Sequence, residues 1–315
     1  MSAARPARLA VGVVSAGRVG AVLGAALSAI GHRVVATAAV SKASLHRAET
    51  LLPGVPVLPP DEVALHADLV LLAVPDDVLP GMVRGLAAAG AFRPGQILVH
   101  TAGAHGISVL EPAVEHGVLP LALHPVLTFT GRSEDVQRLT GACIAVTARE
   151  DDEVAWSVGE ALVLELSAEP VRVPEQARPL YHAALAHGAN HLVTLVRDCA
   201  ELLQREVLVA TSTGSTDESM VGSASSTSAE RVIGPLLSAA LDNALRHGDR
   251  ALTGPVARGD VGTLRTHLRE LDRVDPELAD IYRVLARRTA HRAVAGGLLP
   301  DHAAAEVRAT LEEHR

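Results

Sequence analysis

Lysine is almost missing from this chain: Lys42 is the one lysine among 28 basic residues. Any proton it delivers must come from histidine, tyrosine, a carboxyl group or water. The densest group of such residues is Tyr181, His182, His187, Asn190 and His191. His182, Ala186 and Asn190 stand at i, i+4 and i+8, along one face of a helix. With alanine between them, a small carbonyl compound can reach both polar groups. Asn190 suits the role of donor to a carbonyl oxygen that gains charge. His182 either supplies the proton or simply hydrogen-bonds within a seam between domains. His187 and His191 have metal-ligand spacing but lack the glutamate of H-E-x-x-H and any third ligand, so no metal is expected. His124-Pro125 and His100-Thr101-Ala102-Gly103 each follow an apolar run that reads as a strand. His124 is therefore a second candidate for the proton, and Thr101 a candidate neighbour of a bound ligand. Arg258, in Leu252-Thr253-Gly254-Pro255-Val256-Ala257-Arg258-Gly259-Asp260, can clamp a carboxylate with two parallel hydrogen bonds. Asp260 is the expected cap of the helix that follows.

These groups need a scaffold, and the amino-terminal residues describe one. Leu9 to Val14 is a short apolar strand leading into Ser15-Ala16-Gly17-Arg18-Val19-Gly20, which opens an Ala-rich helix ending near Gly31. A second strand, Arg33 to Val40, completes one βαβ unit. Such a turn lets backbone N–H groups and a helix N-terminus meet a pyrophosphate. Ser15 takes the first glycine position, as a small residue that can make the tight turn if its φ stays negative. Gly17 and Gly20 serve close backbone approach and helix–strand packing. A site for NAD would place Asp or Glu about 20 residues on, to hold the ribose 2′-hydroxyl. The first acidic residue of this chain is Glu49, and the place in question reads Val40-Ser41-Lys42-Ala43-Ser44. Two hydroxyls and an ammonium, at Ser41, Ser44 and Lys42, welcome a 2′-phosphate that a carboxylate would repel. NADP(H) is the expected cofactor.

Further strands are expected at Val55–Leu58, Leu69–Val74, Gln96–His100, Leu119–Leu123, Ala142–Thr147 and Glu169–Val173, with helical spacers between them. Pro75-Asp76-Asp77 ends one strand and is expected to cap the next helix. The runs at Leu69–Val74 and Ile97–Val99 are apolar on both faces, as in a parallel sheet covered on two sides. The fold class is α/β: a doubly wound Rossmann-like domain over residues 1–174, then an all-helical domain over 175–315. Helices are expected at Leu180–Leu203, Ala229–His247, Val261–Leu271, Glu277–Ala295 and Asp301–Glu313. Residues 209–228, rich in Ser and Thr, read as a mobile surface loop.

The 315 residues carry a net charge of −8, which argues against nucleic acid or an anionic membrane as partner. Arg5 and Arg8 precede an apolar stretch that could pass for a leader, but Arg18 and the glycines and serines from Gly12 to Ser28 interrupt it. A cytoplasmic protein is expected. Cys143 and Cys199 lie in apolar settings and are expected to be buried thiols.

Val74-Pro75-Asp76-Asp77, His100-Thr101, His124-Pro125 with Phe129, Tyr181-His182-Ala183-Ala184, Asn190, and Thr253-Gly254-Pro255 through Arg258-Gly259-Asp260 together resemble a bacterial family. Its members join a Rossmann-like domain to a helical domain of unknown function, DUF2520. The resemblance covers nearly the whole chain outside the Ser/Thr stretch, and it implies that Val74, Pro75 and Asp76 lie at the cofactor. The family is similar in architecture to pyrroline-5-carboxylate reductases and 6-phosphogluconate dehydrogenases, and some members act as an alternative type of ketopantoate reductase. The resemblance thus implies NADPH-dependent reduction of a small 2-keto acid, 2-dehydropantoate first among them, by paired copies of the chain. Imine reduction, or NADP(H) sensing without turnover, are the other expectations. The lysine that many two-domain dehydrogenases place one helical turn before such an asparagine is here Ala186. Ala102 and Ala189 replace serines frequent in the family, as Ser15 replaces a glycine.

Overall fold

The computed structural model describes residues 8–208 and 218–313, with residues 218–227 described by their backbone alone. The chain forms two compact units, Met1–Gly188 and Ala189–Arg315. The boundary falls inside a long helix, beyond the expected break at Pro174, because the first turns of that helix pack with the sheet.

The first unit is built on strands β1 (Ala10–Val14), β2 (Arg33–Ala38), β3 (Leu69–Leu72), β4 (Ile97–His100), β5 (Leu119–Pro125), β6 (Cys143–Thr147) and β7 (Glu169–Arg172). They form one sheet in the order β2-β1-β3-β4-β5-β6-β7. All neighbours are parallel except β5 and β6. Side chains alternate across a strand, and here both sets are apolar. Val11, Val13, Leu69, Leu71 and Val99 enter one core, and Val14, Val70, Leu72 and Leu98 enter the other. The covering helices are α1 (Arg18–Ala29), α2 (Lys42–Leu51), α3 (Pro60–Leu65), α4 (Leu79–Ala88), α5 (Glu111–Val114), α6 (Glu134–Arg138) and α7 (Glu153–Glu165). The chain leaves β1 toward β2 on one side and resumes with β3 on the other. That reversal makes the carboxyl ends of β1 and β3 the switch point where open α/β sheets bind ligands.

Helix α8 (Arg178–Leu202) runs from the first unit into the second. The second unit continues with α9 (Glu218–His247), α10 (Pro255–Arg258), α11 (Val261–Val274), α12 (Pro276–Ala295) and α13 (Asp301–Glu312). Its main core joins Val256, Leu264, Leu268, Ala290, Val307 and Leu311.

Four expectations need correction. Val55–Leu58 is no strand: Val57 makes a single bridge to Thr37, since prolines at 53, 56 and 59 withhold the N–H groups a ladder needs. The expected loop at 209–228 lies partly outside the described residues, but from Glu218 its backbone is helical. An established helix extends one hydrogen bond per residue even through Ser and Thr. Cys143 and Cys199 are both exposed, not buried. Asp76 and Asp77 do not cap α4, which begins after Val78 with no side-chain cap, the turn being closed by Val78 and Leu79 N–H donating to Pro75 O.

Candidate active site

At the switch point Ser15 has φ +83°, contrary to the expected negative value. The tight turn demands the left-handed region, and serine carries that strain where glycine would not. Ser15→Gly should therefore raise the unfolding free energy by about 0.5–1 kcal/mol, the relief being partly offset by the freer unfolded chain. A urea midpoint that does not rise would contradict this. Gly17 caps α1 with no side-chain hydrogen bond, so the first N–H groups of the helix face outward without a side-chain acceptor. A Cβ on Gly17 would meet nothing closer than Ser15 Oγ at 3.4 Å. The space it leaves open is what an approaching pyrophosphate requires. Gly20 is different, because a Cβ there would lie 2.1 Å from Ser15 O. Ala16 and Val19 turn their side chains into the core, leaving only backbone to a ligand, whereas Arg18 is exposed.

At the start of α2 the two serines are engaged with each other. Ser44 N–H donates to Ser41 Oγ at 3.1 Å, Ser41 N–H donates to Ser44 Oγ at 3.0 Å, and Ser41 Oγ donates to Ser44 Oγ at 2.9 Å. This capping box leaves the exposed Lys42 as the free-standing cation of the segment. Arg47, which sequence reasoning missed, reaches back from α2 and donates to Ala16 O at 3.3 Å. Its signal was its place in the acid-free first 48 residues, just past the Ser-Lys segment. Val74, Pro75 and Asp76 form the turn beyond β3, with Val74 half-packed on the core. Thr101 N–H donates to Leu72 O at 3.2 Å, which fixes it between the ends of β3 and β4.

Farther along the same edge, histidines diverge in role. His100 is buried: its Nδ1 accepts from Ala102 N–H at 3.2 Å, so Nε2 carries the proton and donates to Gly106 O at 2.8 Å. Burial pushes it down to about 3, and it serves as a neutral brace for the loop after β4. His124, at the end of β5, lies with Nδ1 2.8 Å from the Tyr181 hydroxyl. Its ring stands edge-on to that of His182, centroids 6.0 Å apart. Both rings crowd Gly103, where a Cβ would come within 2.5 Å of His182 Cδ2 and 2.9 Å of His124 Nε2. Burial first, then Arg178 and His182, push His124 down to about 4.

Beneath them is Arg178, fully buried and also missed. Its guanidinium donates to Thr147 Oγ1 at 2.8 Å and to the carbonyls of Ala102, Ala122 and Ala145 at 3.0–3.2 Å. It stands 5.8 Å from the Tyr181 ring centroid. Desolvation pulls it down to about 10. Among the described residues no carboxylate bonds it directly: neutral acceptors take its hydrogen bonds, and Glu175 favours its charge only through space. The sequence hint was its spacing of three from Tyr181.

Asn190 and Arg258 belong to the second unit. Asn190 is exposed on α8, and its carbonyl accepts from Thr194 Oγ1. Arg258 is exposed, with Nη1 donating to Thr253 O. Gly259 takes φ +69°, and Asp260 caps α11 by accepting from Thr263 N–H at 3.0 Å. Thr253, Gly254 and Pro255 line a cavity of about 780 Å³ with Tyr282, Leu285 and Cys199. No group of three His, Cys, Asp or Glu is placed to hold a metal among the described residues, and none of their helices is long and apolar enough to cross a membrane.

A switch-point glycine turn under a row of polar side chains defines a Rossmann-like protein, and residues 1–125 match the Rossmann-like domain. Residues 142–289 match DUF2520, a domain of unknown function, so the chain joins a Rossmann-like domain to a DUF2520 domain. Among solved structures it is similar to a candidate NADP oxidoreductase from Bacteroides fragilis, at 21% identity and TM-score 0.73 over 90% of this chain and 98% of that one. It is also similar to the pyrroline carboxylate reductase of Plasmodium falciparum solved with NADP bound, at 10% identity and TM-score 0.54 over 96% and 98%. An imine reductase variant from Myxococcus stipitatus in complex with NAD+ follows at 16% identity and TM-score 0.55, over 90% and 94%. These are likenesses of fold. No curated protein matches the sequence.

Proposed function

We propose that the chain is an NADPH-dependent reductase of a small 2-keto acid, with 2-dehydropantoate the leading candidate. The observation that carries this reading is the meeting of His124 and His182 over Gly103, on the sheet edge that also bears the Ser15–Gly20 turn. This shared edge supports assigning those side chains to the nicotinamide end of a cofactor that starts at the turn, since open α/β sheets bind ligands along the carboxyl ends of their strands. The cradle at Gly17 fits a dinucleotide pyrophosphate, and the bound cofactor would supply the hydride. Lys42 and Arg47, with no acid before Glu49, favour the 2′-phosphorylated form. Ser41 and Ser44 contribute by fixing the start of α2.

Asn190 is proposed as donor to the carbonyl oxygen and Arg258 as partner of the carboxylate. Charge-assisted hydrogen bonds of this kind are worth about 1.5–3 kcal/mol. Arg258→Ala should therefore raise KM for the keto acid by about 10–100-fold while KM for NADPH stays within about twofold. An unchanged keto-acid KM removes Arg258 from the site. NADPH oxidation measured against a panel of 2-keto acids and cyclic imines tests the function itself. Faster turnover of the imines would favour the second reading, imine reduction, which the fold shared with the Plasmodium and Myxococcus enzymes supports. The reading includes pairing of two copies, for which the exposed Val232 and Leu236, one turn apart on α9, offer an apolar strip. Sedimentation at micromolar concentration would reveal it.

A further inference from the structure

The roles proposed for His124, His182, Asn190 and Arg258 leave unused two groups that stand beside His124 in the first unit. One is the Tyr181 hydroxyl, and the other is a buried arginine with no carboxylate bonded to it. Resting on the reductase reading, we propose that Tyr181 is the proton reservoir of the reaction, passing its proton through His124 to the substrate oxygen, with Arg178 as the cation that receives the resulting tyrosinate. Three distances carry the proposal. The Tyr181 oxygen lies 2.8 Å from His124 Nδ1, the Arg178 guanidinium carbon lies 5.8 Å from the Tyr181 ring centre, and the His124 and His182 rings stand 6.0 Å apart over Gly103. Nε2 of His124, on the far side of the ring from Tyr181, makes no hydrogen bond to the described residues; it lies beside Gly103, where a Cβ would come within 2.9 Å of it.

The chemistry follows from the state of His124. The groups facing it are Tyr181, His182 and Arg178 from α8 and His100 from β4; burial first, then Arg178 and His182, hold it neutral above about pH 4. An imidazolium is then scarce at neutral pH, so His124 does not act as a simple acid. A neutral imidazole can still give up its Nε2 proton if Nδ1 receives another in the same step. Tyr181 is placed to supply it. With the bound cofactor supplying the hydride to the carbonyl carbon, the carbonyl electron pair would move onto oxygen, and His124 would give that oxygen its Nε2 proton. Nδ1 takes the phenolic proton, and His124 ends neutral in its other tautomer. The negative charge comes to rest on Tyr181 beside Arg178, until water returns a proton. Burial pushes the Tyr181 phenol up while Arg178 pulls it back, so it stays protonated until an alkoxide calls for its proton. Four neutral acceptors take the hydrogen bonds of Arg178, and the Glu175 carboxylate acts on it through space without bonding it, so the guanidinium remains able to receive a tyrosinate.

Two measurements test the relay. Nitrogen-15 resonances of His124 in the cofactor-free chain should show the Nε2–H tautomer, with Nδ1 accepting from Tyr181. An Nδ1–H tautomer points the proton the wrong way and overturns the proposal. Tyr181→Phe, which keeps the ring, should lower kcat about 100-fold near neutral pH with NADPH affinity unchanged. That loss should shrink as pH falls from 7 to about 5.5, before acid unfolding sets in, because the fraction of His124 carrying a proton of its own rises about tenfold per pH unit. A merely structural loss would be equal at all pH values, and such a result, like retained kcat, overturns the relay alone. No turnover of any carbonyl or imine by the unaltered chain overturns the reductase reading, and the relay with it.

Discussion

Gly20→Ala should abolish saturable binding of NADPH and lower the stability of the first unit by about 3 kcal/mol, the upper range for overpacking a tight site. The added methyl would lie 2.1 Å from Ser15 O and 2.9 Å from Ala73 Cβ, and neither is the far end of a flexible side chain. Relief requires α1 to withdraw from the turn, which pulls its first N–H groups off the pyrophosphate position and separates β1 from the residue after β3. The strained φ of Ser15 leaves the turn little room to yield. Titration calorimetry and urea unfolding read the two effects separately. Binding that survives with ordinary affinity would mean that the dinucleotide, if bound, does not lie on this turn. Gly17→Ala is the contrasting case, since its nearest neighbour would be an ordinary 3.4 Å away: stability should hold while affinity falls.

The second large effect is acid lability. His100 and His124 sit near 3 and 4 in the folded chain against about 6.5 when unfolded. A depressed folded value means that the unfolded state binds the proton first, so stability is complete above pH 6.5 and is lost as pH falls through each folded value. Each histidine contributes at most about 1.4 kcal/mol per pH unit inside its window. Between pH 6.5 and 4 the pair should remove on the order of 3–6 kcal/mol, enough to unfold a marginal domain. The lowered carboxyls of Asp68 and Asp135 add their losses only below the usual carboxylate value of 3.8. His100→Gln keeps one acceptor and one donor for Ala102 and Gly106 but cannot gain a proton. It should flatten about half of the slope, and an unaltered urea-midpoint profile between pH 6.5 and 4 would show that the slope has another origin.

Much of the frame was legible because it is written in short-range periodicities. The continuous apolar runs of β1, β3 and β4, the Ala-rich stretch after Gly17 and the Asp260 cap each depend on neighbours within a few residues. The Val55–Leu58 strand misled because apolar content outweighed the prolines that deny it a ladder. The φ of Ser15 misled because a serine ordinarily avoids what the turn imposes. Among site residues, Gly17 and Gly20 could be assigned roles from local sequence, while Ser41 and Ser44 proved to be partners of each other.

The amino acid order alone determined a doubly wound sheet with a dinucleotide-type turn, followed by helices, since turn chemistry and hydrophobic period act over one or two turns of chain. Tertiary structure alone decided which polar groups meet. The His124–Tyr181 contact spans 57 residues, and Arg178 reaches Ala102 across 76. Such pairs are set by strand order and by where α8 begins, and their protonation depends on burial, which no local pattern records.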